Sequence, residues 1–310
     1  MIQVVASEIR PSSPRLNRRF LANPDVLLGV GDAQRPAGDA AGDTFSLVLH
    51  DLRMGGTWKK TSRGRLKQTE RALCSQLAGR TSITLLDLGA SDGITTWEAV
   101  QTLRDTVGAT VSAWLADMNL YLYRYRKGPL IEYRASDGEP IMARVGRLGL
   151  RLSKHRAALG QSPDPLVTAY LGLSPLRRGM QLDTRIPLIH PFARGEHAIT
   201  PLEMNCLERQ EPLVDRVDAV RASNVLNRGY FTAVQLRTAI AHLHAYLREG
   251  GCLVVSRNID VPGGELECGS VWRRRGHRFE RVEDFGQGSE VRDLVDEWRA
   301  DPAGGPNRSA

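Results

Sequence analysis

The chain has few of the features that would place it directly in a structural class. Its 310 residues include only four cysteines, which are far apart and show no paired spacing: Cys74, Cys206, Cys252 and Cys268. Zinc sites and disulfide frameworks need cysteines at short, paired spacings. The sequence therefore predicts reduced, structural thiols and no metal.

The chain also lacks long apolar runs. No uncharged segment is long and apolar enough to cross a bilayer, and residues 1–20 carry arginines without an apolar stretch of signal-peptide length. From these absences we expect a cytoplasmic protein with no membrane contact.

Aromatic residues are scarce at 6% of the chain, and this limits what its basic charge implies. The formal net charge is +7, with the densest basic cluster at residues 273–275. RNA-binding surfaces usually combine basic residues with aromatic rings that stack on bases, and no such alternation is recognisable here. We therefore expect no nucleic-acid partner.

The most informative segment is a buried apolar strand that leads into a glycine loop and then a helix, over residues 85–93 and beyond. Thr95 and Glu98 have the spacing of a capping box, which predicts that the helix starts between Ile94 and Thr96. The positive end of that helix would face the loop. A strand, glycine loop and helix in this order are typical of a nucleotide-type cofactor site.

Two missing glycines decide between the cofactors that such a loop can bind. A dinucleotide fold needs glycines where the backbone approaches a pyrophosphate, and the chain has Ser91 and Ile94 at those positions. What remains is an acidic residue, Asp87, followed by Gly89 and Gly93. This pattern resembles motif I of the class I S-adenosylmethionine-dependent methyltransferases, with Ser91 in place of the middle glycine. The alternative is a tight turn without a ligand.

The segment after the loop completes a βαβ unit. A helix over about 95–107 and a strand over 110–116 follow, and the strand ends at Asp117. In such a unit the end of the second strand lies beside the first loop, where a carboxylate can accept both ribose hydroxyls of an adenosine. Asp117 is thus the predicted ribose ligand, against the alternative of an aspartate that begins a turn.

The second half of the chain continues the alternation from about residue 199. A strand over 217–222 precedes a helix with a capping box at Thr232 and Gln235, and Gly250-Gly251 is predicted to end that helix. A strand over 252–256 and a hairpin of 270–273 with 278–282 follow. We predict an α/β fold, a Rossmann-like doubly wound and mostly parallel sheet with a terminal antiparallel hairpin, plus an inserted cap segment.

The block 217–256 resembles the second half of a class I methyltransferase domain. Within it, residues 218–226 are similar to the fourth-strand segment of the chemotaxis-receptor glutamate methyltransferases, which carry an Arg-x-Asn-Val-Leu element. Here Arg221 and Asn224 are separated by two residues instead of one, because Ser223 is extra.

The resemblance implies S-adenosyl-L-methionine as the cofactor and assigns residues to its parts. Asp117 would hold the ribose and Met118 would flank the adenine. Asn205 would accept from the adenine amine, and Asn224 would lie near the reacting methyl group; the alternative for both is a structural role in a turn. The methionine half would be lined by the loop, namely Asp87, Gly89, Ala90, Ser91, Asp92 and Gly93. No general base is assigned.

The chain is predicted to divide into segments of different character. Residues 61–118 and 199–300 form the methyltransferase domain, and 1–60 are an N-terminal extension with a flexible loop at about 32–43. Residues 119–198 are an insertion that would serve as a substrate cap or a dimer contact. The tail 301–310 is expected to be disordered.

Local patterns inside the predicted segments give further expectations. The insertion is predicted to hold a hairpin of 131–134 with 141–145, then helices over 148–159 and 166–176. His242 and His244 are predicted to lie on the surface of their helix.

The expected activity is methyl transfer from S-adenosylmethionine to oxygen or nitrogen of a small molecule. Two alternatives stay open, a protein methyltransferase acting on carboxylates or other side chains, and a non-catalytic cofactor-binding scaffold. A homodimer is also compatible with the sequence.

Overall fold

The computed structural model describes residues 3–6, 20–29, 45, 48–49, 52–54, 57–58, 61–152, 165–173 and 177–300. The chain splits into two compact units, Met1–Thr61 with Asn119–Gly195, and Ser62–Met118 with Glu196–Ala310. The predicted flexible loop at 32–43 and the predicted disordered tail lie outside the described residues.

The described helices are α1 (Lys67–Gln76), α2 (Ile94–Val107), α3 (Pro165–Gly172), α4 (Pro191–Arg194), α5 (Ala233–Tyr246) and α6 (Arg292–Glu297), with 3-10 helices at Pro24–Gly29 and Glu211–Leu213. The described strands are β1 (Gln3–Ala6), β2 (Phe20–Ala22), β3 (Arg53–Met54), β4 (Thr57–Trp58), β5 (Ser82–Leu88), β6 (Thr110–Asp117), β7 (Tyr121–Lys127), β8 (Leu130–Arg134), β9 (Pro140–Val145), β10 (Leu148–Arg151), β11 (Gln181–Pro187), β12 (Ile199–Glu203), β13 (Val217–Ser223), β14 (Leu247–Val261), β15 (Gly264–Arg275) and β16 (Arg278–Phe285).

The second unit is built on a seven-stranded sheet in the order β12-β6-β5-β13-β14-β15-β16. Its first five strands are parallel, and β15 and β16 add an antiparallel hairpin at one edge. The central strands β5 and β13 are almost continuously buried, because helices cover both faces of a parallel sheet. The predicted α/β fold with its terminal hairpin is confirmed.

Helix α5 shows how the sequence specifies this packing. Its capping box is present: the Thr232 side chain accepts from the Gln235 backbone N–H, and the Gln235 side chain accepts from the Thr232 N–H. Leu236, Ile240 and Leu243 repeat at helical spacing and are fully buried in the core of the unit. Amphipathic spacing and a strong start signal together made this helix predictable.

The first unit contains a second seven-stranded sheet, in the order β11-β7-β8-β9-β10-β1-β2. The predicted hairpin is present as β8 and β9, which pair antiparallel. The N-terminal segment contributes β1, which pairs with β10, and β2. It also supplies Leu27, Phe45 and Val48 to a core shared with residues of β7 and β8.

Three local predictions are wrong. Residues 148–151 form β10 instead of a helix, because Gly146, with φ +57°, turns the chain back so that Leu148 pairs with Val145. The Gly250-Gly251 pair lies inside β14 and does not end α5, which stops at Tyr246. The second predicted helix of the insertion is shorter, since α3 ends at Gly172.

Some expected features can be reported only for the described residues. Within these ranges, no helix is both long and apolar enough to span a membrane. Residues 153–159 and 174–176 of the predicted insertion helices are outside the description.

Candidate functional site

The loop between β5 and α2 is held by backbone hydrogen bonds to the neighbouring strand. The N–H groups of Gly89 and Ala90 donate to the Ala116 carbonyl at 2.8 and 3.1 Å. Gly89 and Gly93 have φ of +70° and +79°, and Ser91, with φ +59°, also adopts the left-handed conformation. The loop therefore turns sharply at three residues, and Ser91 bears strain that a glycine in its place would avoid.

Gly89 is required for close packing as well as for its φ. A Cβ at this position would lie 2.6 Å from Cβ of Val225, in the segment after β13. The loop and the segment that contains Asn224 thus touch directly at the edge where the parallel strands end.

Asp117 lies against this loop, as predicted from the βαβ pattern. Its Oδ2 accepts a hydrogen bond from the Ser91 N–H at 2.9 Å, and its carbonyl accepts from the Met204 N–H at 3.1 Å. Met118, the next residue, has 45% of its side chain exposed. The carboxylate that was predicted to bind ribose is therefore placed beside the glycine loop, with an exposed apolar residue next to it.

Asp87 is buried and engaged by protein groups. Its Oδ1 accepts from Arg221 Nε at 2.8 Å and its Oδ2 from Arg221 Nη2 at 2.5 Å, and Thr96 also donates to Oδ2. Arg221 has no exposed surface and lies opposite Asp87 in the β5–β13 register. Burial alone would lower the pKa of Arg221, but Asp87 raises it above its ordinary value, so the guanidinium stays charged.

The start of α2 is formed differently from the prediction. The helix begins at Ile94, as expected, but Gly93 is the N-cap residue and makes no side-chain cap. The buried Asp92 accepts from the Ile94 N–H at 3.0 Å. The capping box of Thr95 and Glu98 is wrong: Thr95 accepts from Arg221, and Glu98 accepts from the Gly64 N–H.

The two predicted asparagines occupy turns. Asn205 Oδ1 accepts from the Leu207 N–H at 3.0 Å. Asn224, with φ +61°, accepts from the Asn258 N–H at 2.8 Å, and its own Nδ2 donates to Asn258 Oδ1 at 3.3 Å. Asn224 therefore ties the end of β13 to β14, a role that requires Asn258, which sequence reasoning missed.

A second ionisable group, Glu70 of α1, interacts electrostatically with Arg221. Burial, with a smaller contribution from the charges of Glu98 and Glu267, raises the pKa of Glu70 to about 7 against the positive charge of Arg221. Glu267 accepts from the Thr69 and Gln68 N–H groups at the start of α1. Protonation of Glu70 near neutral pH would remove one of the negative charges that interact with Arg221.

The two histidines of α5 differ in burial. His244 is 4% exposed and packs against Trp298 and Phe279, with ring centroids 4.3 and 5.1 Å away. The His242 Nδ1 lies 3.0 Å from the Cys206 carbonyl. The predicted surface position is wrong for His244, because the β15–β16 hairpin and the segment after α6 cover that side of α5, whereas His242 is half-buried.

Two residues that support the candidate site, Arg221 and Asn258, were not predicted from the sequence. Arg221 is one of two charged residues in the buried strand β13, and a charge in such a strand is a signal for a buried ion pair, but its partner is 134 residues away. Asn258 gave no signal. Among the described residues, no group of three or more His, Cys, Asp or Glu is placed to hold a metal ion.

No protein-family model matches the chain, and no curated protein matches it. Many of the solved structures that match are S-adenosylmethionine-dependent methyltransferases. The N-methyltransferase NodS from Bradyrhizobium japonicum WM9, in complex with S-adenosyl-l-homocysteine, is 14% identical over 68% of this chain and 72% of that chain, with a TM-score of 0.32.

Two further matches are similar in strength. An S-adenosylmethionine-dependent methyltransferase from Mesorhizobium loti is 15% identical over 66% of this chain and 67% of its own, with a TM-score of 0.30. The CMeT domain of the citrinin polyketide synthase is 15% identical over 63% of this chain, with a TM-score of 0.31. The chain spans only 35% to 55% of the length of several matching structures. Likenesses this distant carry no argument about the chemistry, which depends on the site itself.

Proposed function

We propose that the chain is a class I S-adenosylmethionine-dependent methyltransferase. The observation that carries the proposal is the hydrogen bond between the Ser91 N–H and the Asp117 carboxylate, 2.9 Å long, which joins the glycine loop to the acid at the end of the next strand. A loop with left-handed turns and an adjacent carboxylate suits an adenosine ribose on one side and an amino-acid chain on the other.

The residues of the loop fit this group by their chemistry. Asp117 would accept from the ribose hydroxyls, and the half-exposed Met118 would flank the adenine ring. Gly89, Ala90, Ser91 and Gly93 would let the backbone pass close to the methionine part. Asp87 and Asp92 are both buried. From the interior of the unit they would hold the loop and the start of α2 in position.

When bound, the cofactor supplies an activated sulfonium methyl group. The protein then has to orient the acceptor atom and exclude water, and such positioning can contribute roughly 7 to 11 kcal/mol to lowering the barrier. Asn224 would contribute by fixing the end of β13, where its side chain is bonded to Asn258.

The acceptor belongs to the proposal as well. We favour oxygen or nitrogen of a small molecule, with the segment 119–198 forming a cap or a dimer contact. The alternative, methylation of protein carboxylates or other side chains, rests on the similarity of residues 218–226 to the fourth-strand segment of the chemotaxis-receptor glutamate methyltransferases. A cofactor-binding scaffold without turnover is favoured only by Ser91 in place of the usual glycine.

Cofactor binding is tested first. Purified protein is examined by mass spectrometry for co-purified S-adenosylmethionine or S-adenosylhomocysteine, and S-adenosylhomocysteine is then titrated by calorimetry. Asp117→Ala should weaken binding roughly 10- to 100-fold, because a charge-assisted hydrogen bond is lost. Asp105→Ala, at an exposed position on α2, is the matched control and should bind normally. Unchanged affinity in Asp117→Ala would remove the ribose assignment.

Turnover is tested next, by transfer of a labelled methyl group into lysate separated into small-molecule and protein fractions. Label in the small-molecule fraction supports the preferred acceptor, and label in protein supports the alternative. Cofactor binding without transfer into either fraction would favour the scaffold.

A further inference from the structure

A polar cleft with a volume of about 300 Å³ lies beside the ends of β13 and β14, within the second unit. Arg228, Arg257 and Arg292 line it, together with Ser289, Glu290 and Asp293. They come from three separate parts of the chain: the segment after β13, the strand β14, and the loop before α6 together with the first two residues of that helix. Three arginines around one cleft suggest an anionic ligand, because the planar guanidinium matches carboxylate and phosphate geometry.

The charges in the cleft do not balance. Glu290 pairs with Arg257 and also accepts from the Arg228 N–H at 3.0 Å, and Asp293 pairs with Arg228 at 2.6 Å. Among the residues that the structure describes, no carboxylate lies within ion-pair distance of Arg292. Three guanidinium groups and two carboxylates leave one positive charge for a ligand.

Arg257 also retains donor capacity. Its Nη1 is bonded to Glu290, whereas Nη2 forms no hydrogen bond with any residue that the structure describes, and 34% of the side chain is exposed. An anion in the cleft would accept from Nη2 without displacing a protein partner.

The walls of the cleft are held in place without a ligand. Asn227 Oδ1 accepts from the N–H groups of Gly229 and Tyr230, both at 3.0 Å, and this fixes the turn that carries Arg228. The buried Ser289 donates its N–H to Ser270 Oγ at 2.8 Å. Gly288, with φ +75°, lies so close to Arg292 that a Cβ would be 3.0 Å from Nη1. The site is therefore preorganised, which reduces the cost of binding.

The cleft is close to the glycine loop. Val225, which packs against Gly89, precedes Arg228 by three residues, so the two Cα atoms are at most about 11 Å apart. Resting on the proposed function, we infer that this cleft binds an anionic group, a carboxylate or phosphate, of the methyl acceptor.

The first test measures anion binding directly. Inorganic phosphate and acetate are titrated into the full chain in a buffer free of other oxyanions, at constant ionic strength. We expect saturable binding of one or both, weakened about tenfold in Arg292→Gln, which removes the cation without an acidic partner. Arg257→Lys, which keeps the charge but loses the planar guanidinium with its several N–H donors, should weaken it as well.

The matched control is Arg275→Gln. Arg275 is exposed at the tip of the β15–β16 hairpin, 3.7 Å from Glu280, and lies outside the cleft. The Arg275→Gln variant should bind phosphate and acetate like the unmodified chain. No saturable binding, or an equal loss in Arg275→Gln and Arg292→Gln, would overturn the inference.

The second test connects the anion to the acceptor. In the methyl-transfer assay, phosphate should raise the KM for the active acceptor fraction without lowering kcat, and Arg292→Gln should raise the same KM. An acceptor that does not bind to an anion-exchange resin, or an anion that binds without competing, would overturn the assignment. S-adenosylhomocysteine is titrated into the same samples. Its failure to bind would refute the proposed function. Normal binding of S-adenosylhomocysteine without any effect of the anion would refute only the assignment of the cleft as an anion site.

Discussion

At the scale of single residues, the pair of Asp87 and Arg221 determines the shape of the candidate site. The guanidinium reaches both carboxylate oxygens and the Thr95 hydroxyl, so β5, β13 and α2 are joined at one point below the glycine loop. Such a pair is costly to bury, but removing one partner costs more, because the other charge is left without compensation.

Asp87→Asn is therefore expected to destabilise the protein by about 3 to 5 kcal/mol. The measurement is urea unfolding followed by circular dichroism. Glu280→Gln is the control, since it breaks the exposed pair with Arg275 and should change stability by less than about 0.5 kcal/mol. A similar decrease in the free energy of unfolding in both variants would show that the buried pair contributes no more to stability than the exposed one.

Gly89 allows a second comparison between matched residues. Gly79 has φ +78° and open space around it, whereas Gly89 has φ +70° and faces Val225. Gly79→Ala should cost about 1 to 2 kcal/mol of backbone strain. Gly89→Ala should cost about 1 to 3 kcal/mol more, because its Cβ would clash with Val225, and it should also weaken S-adenosylhomocysteine binding. Thermal unfolding and calorimetry measure the two effects, and equal melting temperatures would contradict the packing argument.

At the scale of elements, α5 is covered by parts of the chain that follow it. His244 is enclosed by Phe279 of β16 and by Trp298 after α6. Burial, together with the charge of Arg274, lowers the pKa of His244 to about 4. The folded state therefore holds this histidine neutral at pH values where the unfolded chain protonates it.

The stability contributed by His244 should be complete above pH 6.5 and lost as the pH falls from 6.5 toward 4. Its full extent is about 3 kcal/mol, because each pKa unit corresponds to about 1.4 kcal/mol. The contribution of Glu70 to stability depends on pH with the opposite sign. Its raised pKa makes the folded state bind a proton as the pH falls below 7, which stabilises the folded state.

The test is the difference in unfolding free energy between the unmodified chain and His244→Phe, measured from pH 4.5 to 7.5. The difference should shift in favour of the variant as the pH falls, whatever Glu70 and the other carboxylates contribute to both proteins. A difference that is constant with pH would show that His244 does not titrate in this range.

At the scale of the whole molecule, each of the two units combines distant parts of the chain. The first unit joins the N-terminal segment to residues 119–195 through the pairing of β1 with β10 and through a shared apolar core. The second unit is interrupted between Met118 and Glu196 and has its own sheet and core. The segment 119–198, predicted as an insertion, thus shares its sheet with the beginning of the chain.

Removal of residues 1–61 should uncover the core of the first unit, since Leu27, Phe45, Val48 and Leu49 would be lost. Amides of β7 to β9 should then lose protection in hydrogen exchange, because their apolar face becomes exposed to water. Amides of β5, β13 and β14 should keep their protection, because those strands bury residues of the second unit. Equal loss in both sheets would contradict the independence of the two cores.

Much of the second unit could be predicted because its signals are local. The apolar run before Gly89, the spacing of Leu236, Ile240 and Leu243, and the cap at Thr232 each act within a few residues. The helix start at Ile94 was right although its capping box was wrong, because apolar period and glycine position outweighed one side-chain pair. The reversal at Gly146 was missed, since a strand and a short helix with alternating leucines look alike over four residues.

The sequence by itself determined the order of strands and helices in the second unit, the glycine loop, and the position of Asp117 at a strand end, because these depend on local conformation and on the two-residue and 3.6-residue periods. Only the tertiary structure decided that Asp87 is bonded to Arg221, that Asn224 is bonded to Asn258, that His244 is buried, and that three arginines from separate segments share one cleft. These contacts join residues far apart in the chain, and no local pattern specifies them.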